Sequence, residues 1–159
     1  MTEARDAEKG DGERPPIASP RPEEHLDGFR AMELRDPFEA FVGPYYSETT
    51  PNDGLARTEA FRVDERHIDA AGKLHPGALM TFADAIVGST AWNATGRRPC
   101  VTLSMQTSYT GTAKVGDLVI GKTRLTKKTR SVVFCAADFF VDDVLICQAT
   151  SLWKVLGEP

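Results

Sequence analysis

The chain has 159 residues, 41% of them hydrophobic and 26% charged, with a net charge of −4. That length suits one domain with one sizeable core. The acidic balance excludes the broad basic surface that non-specific nucleic-acid or anionic-membrane binding needs. No apolar run approaches a membrane span, and the N-terminus has no apolar stretch of the signal-peptide kind, so a cytoplasmic location is expected. Three cysteines, Cys100, Cys135 and Cys147, fit neither a disulfide framework nor a zinc site. Neither a metal nor a separate cofactor is expected.

Residues 1–30 carry eight acidic residues, five basic residues and four prolines. Such a segment buries too little apolar surface to offset ordering entropy, which predicts a disordered tail. Residues 31–50 read as a short clamp. Asp36-Pro37 opens a helix, Phe38, Phe41 and Val42 give it an apolar side, and Gly43-Pro44 ends it.

Residues 51–159 form the main domain. Leu55 to Val63 reads as a strand. A loop through Gly72 leads to Pro76, which suits the first turn of a helix running to about Trp92. This helix is apolar nearly all round, the mark of an element buried on most sides. Four strands follow, over residues 101–106, 118–126, 131–141 and 144–155. Val101, Leu103 and Met105 alternate with polar neighbours at the period of a strand. Short connections predict antiparallel neighbours. The fold class is α+β, an antiparallel sheet wrapped around one long helix. Its open back predicts self-association.

Asp84 is the lone acidic residue between Leu74 and Trp92. An unpaired buried carboxylate is expensive. Asp84 therefore either takes the one wet edge of the helix or lines a cleft as general base or nucleophile. The helix start carries unsatisfied N–H groups suited to an oxyanion, near His75, Pro76 and Gly77. His75 fits a capping role equally well. Gly77 and Asp84 are two helical turns apart, roughly 10 Å. The run Lys127-Lys128-Thr129-Arg130-Ser131 is either a solvated turn or a phosphate-holding loop.

Together these features resemble the hotdog-fold acyl-CoA thioesterases of the phenylacetate-pathway (PaaI-like) branch. The resemblance runs over about residues 37–156. Its centre is His75-Pro76-Gly77-Ala78-Leu79-Met80-Thr81-Phe82-Ala83-Asp84, with the acid nine residues after the His. Val101-Thr102-Leu103-Ser104-Met105 and the Ala113-Lys114-x-Gly116-Asp117 turn continue it. The resemblance implies hydrolysis of an acyl-CoA substrate at sites shared between subunits of a homodimer or homotetramer. It implies Asp84 as catalytic acid, Thr102 as water-orienting hydroxyl, and Thr129, Arg130 and Ser131 as the coenzyme A contact. It also exposes two departures. Pro76, without an N–H, replaces the Gly credited with polarising the thioester carbonyl. Asp69 replaces an Asn, and an ionised Asp only accepts hydrogen bonds. Gly77 N–H is the expected substitute donor. Two other functions fit the same residues: a non-hydrolytic acyl-CoA binding module, and a hydroxyacyl-thioester dehydratase using His75.

Overall fold

The computed structural model describes residues 26–50 and 53–157. In chain order the elements are β1 (Phe29–Ala31), α1 (Pro37–Val42), β2 (Tyr46–Glu48), β3 (Ala56–Arg62) and α2 (Pro76–Ala94). They continue with β4 (Cys100–Tyr109), β5 (Leu118–Lys128), β6 (Val132–Val141) and β7 (Val144–Val155). All seven strands join one antiparallel sheet in the order β1-β2-β3-β5-β6-β7-β4. Phe29 and Arg30, assigned above to the tail, pair with Glu48 and Ser47. Residues 1–25 lie outside the described residues.

The expected meander of neighbouring strands needs one correction. β4 pairs with β7, not with β5. The connection over residues 110–117 crosses the end of the sheet instead of turning tightly. Leu74 N–H donates to Ala113 carbonyl, and Val63 N–H to Asp117 carbonyl, which ties that connection to the β3 end and to the loop before α2. β4 is thereby left at the sheet edge, with Val101, Leu103 and Tyr109 exposed.

α2 crosses the sheet on a single stripe. Leu79, Phe82, Ala83, Ile86, Val87, Thr90, Ala91 and Ala94 are buried at helical spacing. Each large one contributes on the order of 1.5–3 kcal/mol. Phe82 packs its ring against Tyr45, Phe61 and Phe139, at centroid distances of 5.0, 4.8 and 5.9 Å. The helix can lie this close because of Gly121 in β5, where an added Cβ would sit 2.5 Å from Ile86. The expectation of a helix buried on most sides is therefore corrected. Its other side, with Ala85, Gly88, Ser89 and Trp92, borders an open cavity. No helix among the described residues is long and apolar enough to cross a membrane.

α1 is capped by Asp36, whose Oδ1 accepts from Phe38 and Glu39 N–H groups. Its far end is gripped from the loop after β3. Arg66 donates to the carbonyls of Phe41 and Gly43. His67 is buried. Its Nδ1 accepts from Asp64 N–H, so its Nε2 donates to Val42 carbonyl at 2.6 Å. Burial holds the His67 pKa below its ordinary value. The unfolded chain therefore binds this proton more readily than the folded one. The contribution of His67 to stability is complete above about pH 6.5 and is lost as pH falls through the folded value. Wild-type melting temperature is expected to drop on going from pH 7 to pH 5, and less steeply in His67→Gln. Parallel curves for the two proteins would remove His67 as the cause. Asp64 and Asp69, both lowered from 3.8, titrate in a separate, more acidic window.

Candidate active site

Asp84 lies half-buried in the third turn of α2, and Thr102 in β4 faces it. Thr102 Oγ1 donates to Asp84 Oδ1 at 2.9 Å. The register of β4 against β7 shifts between Thr102 and Ser104, so Leu103 is the extra residue of a bulge. Bulges re-aim side chains, and here Thr102 sits on the helix side, opposite buried Trp153. Packing of Trp153 on Gly88 sets the spacing: a Cβ at residue 88 would lie 2.8 Å from the indole.

Asp84 borders two cavities. One, of about 740 Å³, runs along α2 towards Trp92, Cys100 and Trp153. The other, of about 480 Å³, lies against Met80, Thr81 and Met105. Glu39 of α1 borders both. Its carboxyl is pushed above the usual carboxylate range by burial, then by Asp36 and Asp84. Nothing in the sequence singled out Glu39, because α1 reads as a short amphipathic helix until its docking on α2 is known. Among the described residues, no group of three or more His, Cys, Asp or Glu is placed to hold a metal ion.

The start of α2 meets the capping reading of His75 and departs from expectation at Gly77. His75 is its N-cap, and His75 Nδ1 accepts from Gly77 N–H at 2.9 Å. Ala78 and Leu79 N–H both donate to His75 carbonyl, at 3.0 and 3.3 Å. Pro76 has no N–H. Gly77 N–H, the expected substitute donor, is thus already engaged. The donor left at this end is imidazole Nε2, which carries the proton of the neutral ring when Nδ1 accepts. Tyr109 hydroxyl donates to Pro76 carbonyl at 3.1 Å. Asp69 Oδ1 accepts from Ala71 and Lys73 N–H, at 2.8 and 3.0 Å, closing the turn before α2. The bond from Lys73 N–H is the main cause of its lowered pKa. Asp69, Pro76 and Tyr109 share a third cavity of about 180 Å³, apart from those of Asp84. Within one chain, then, Asp84 and Thr102 meet, and the helix-start group stands separately.

The basic turn divides its work. Lys128 Nζ donates to Ala94 carbonyl at 2.8 Å and so caps the far end of α2. Thr129 Oγ1 closes the turn through Val132, donating to its carbonyl and accepting from its N–H. Arg130 and Ser131 line a cavity of about 280 Å³ with Arg98 and Lys154. These last two were missed from the sequence. Strand register brings Lys154 there, opposite Val101 and Val132, and Arg98 comes from the loop just before β4.

The sequence profile of the Thioesterase superfamily matches residues 71–148. A Pseudomonas aeruginosa protein named Putative esterase PA0474 is 27% identical over 130 residues, 81% of this chain and 96% of its own. Mouse acyl-coenzyme A thioesterase 13 is 26% identical over 77 residues, 48% of this chain and 55% of its own. A mutant phenylacetic acid degradation protein PaaI from Thermus thermophilus superposes with a TM-score of 0.67 at 21% identity, covering 76% of this chain and all of that one. A Streptococcus pneumoniae hypothetical thioesterase solved with coenzyme A gives 0.65 at 23%, covering 72% and 87%. With one antiparallel sheet curled about one central helix the chain has the hotdog fold of these neighbours, and over residues 71–148, which include that helix, it is similar to the Thioesterase superfamily.

Proposed function

We propose that this protein hydrolyses acyl-CoA thioesters, with Asp84 activating the attacking water. The observation that carries this reading is the 2.9 Å bond from Thr102 to Asp84 at the border of two cavities. Because Thr102 donates to the carboxylate, its own lone pairs face outward to accept from a water. That water adds to the carbonyl carbon and gives its proton to Asp84. The tetrahedral intermediate then collapses, the C–S bond breaks, and the departing thiolate takes the proton back from Asp84. Direct attack by Asp84, through a mixed anhydride, uses the same geometry. The carbonyl oxygen is received at the start of α2, where His75 Nε2–H is the donor not already engaged.

The helix start and Asp84 occupy separate cavities of one chain, which supports a site shared between two copies. β4 offers the seam, since it is an edge strand with exposed Val101 and Leu103. A homodimer, or a homotetramer built from it, covers that edge. A second reading, a binding module without hydrolysis, is favoured by one observation: every backbone N–H at the helix start is taken. Thiol release over time from a panel of acyl-CoA esters separates the two. Steady release supports the hydrolase. Tight binding of the same esters with no release supports the module.

The cavity of Arg98, Arg130 and Lys154 supports binding of the nucleotide phosphates of coenzyme A. Arg130→Ala is expected to raise KM for CoA esters about 10-fold and to spare short thioesters that lack the nucleotide. Equal effects on both substrate types would place Arg130 outside the CoA site.

A further inference from the structure

We infer that the cavity beside Asp84 takes an uncharged acyl group and rejects one that ends in a carboxylate, with Glu39 as a specificity-determining residue. This rests on the hydrolase reading and names its substrate class. The 740 Å³ cavity has apolar walls from Met32, Leu34, Trp92 and Trp153. Its volume is that of an ordinary small-molecule site. Among the described residues its charged lining groups are Glu33, Asp36, Glu39 and Asp84 against one cation, Arg35. Arg35 sits at the exposed rim and is paired with Glu33 at 3.5 Å. The adjoining 480 Å³ cavity repeats Asp36, Glu39 and Asp84, and no cation among the described residues lines it.

Glu39 is held there by the fold. α1 is capped at one end by Asp36 and gripped at the other by Arg66 and His67, so the helix cannot carry Glu39 into solvent without releasing those bonds. Burial first, and then Asp36 and Asp84, push the Glu39 carboxyl above its ordinary value, so negative charge at this position is already disfavoured. An acyl chain ending in carboxylate would add another anion to the same place. Arg98, Arg130 and Lys154 line a separate cavity and supply cations for the nucleotide end. The two ends differ in sign, which orients a polyanionic nucleotide one way and an uncharged tail the other.

The test compares hexanoyl-CoA with adipoyl-CoA, which match in carbon count and differ by the terminal carboxylate. The full chain is expected to prefer hexanoyl-CoA in kcat/KM by about 100-fold or more, the scale of one like-charge juxtaposition. Glu39→Gln is expected to narrow the gap about 10-fold, chiefly by improving adipoyl-CoA. Asp36→Asn, which keeps the helix cap, is expected to narrow it in the same direction. Binding of two inert thioethers, S-hexyl-CoA and S-carboxypentyl-CoA, reads the same preference without chemistry. If neither ester is hydrolysed, the hydrolase reading falls, and the thioethers still decide the inference. Equal affinity for the two thioethers overturns it, as does failure to bind either. So does a Glu39→Gln protein, folded by its melt, that changes both esters alike.

Discussion

Asp84→Asn is expected to lower turnover at least about 100-fold and to leave the fold intact. The amide is the same size as the carboxylate, and its oxygen can still accept from Thr102 Oγ1. Packing around α2 is therefore preserved, and Asp84 is only half-buried with no cationic partner among the described residues. What disappears is the ability to take a proton from water or to attack a carbonyl. The effect should fall on kcat, while affinity for a CoA ester, which the proposal assigns to the Arg130 cavity and the acyl chamber, should change little. Melting temperature and oligomeric state serve as controls. A folded mutant that releases thiol at the wild-type rate would remove Asp84 from the chemistry.

How much of this site is legible in the sequence depends on how local each feature is. Pro76 suits the first turn of α2 and the run to Trp92 is apolar nearly all round, so the helix is legible in the sequence, whereas its burial on a single stripe is not. Asp84 was legible as well, because a lone acid in an apolar helix has few places to go. β4 was predicted as a strand but given the wrong neighbour. Alternation reports a strand's faces, while pairing order depends on where residues 110–117 run. Arg98 and Lys154 are ordinary cations in the sequence. They line one cavity with Arg130 only after β4, β6 and β7 take their register and the loop before β4 brings Arg98 alongside. The helix start was legible in outline and misread in detail. A His at the N-cap can either free or occupy the N–H two residues on, and only the ring orientation decides that. Glu39 belongs to the same class, since its meaning comes from the docking of α1 on α2.

Pro76→Gly is expected to raise the hydrolytic rate by roughly 10- to 100-fold, somewhat less than the loss caused by deleting one well-aligned oxyanion donor. The first turn of α2 shows why a single atom matters. Gly77 N–H is spent on His75 Nδ1, and Ala78 and Leu79 N–H on His75 carbonyl. A glycine at 76 adds an N–H at the first helical position, and no acceptor in the first turn claims it. The backbone there stays anchored, because Tyr109 hydroxyl bonds the carbonyl of residue 76, which the substitution retains. Stability should fall by about 0.5–1 kcal/mol, since glycine gives the unfolded chain more freedom than proline. A thermal melt reads that change, and turnover at saturating substrate reads the other. Unchanged turnover in the folded variant would mean that the missing N–H does not limit the site. Adding Asp69→Asn then decides what does. The amide oxygen can keep the bonds from Ala71 and Lys73, while its NH2 becomes a new donor. A hydrolase short of carbonyl donors gains from at least one of the two restorations. A protein that binds acyl-CoA without cleaving it gains from neither.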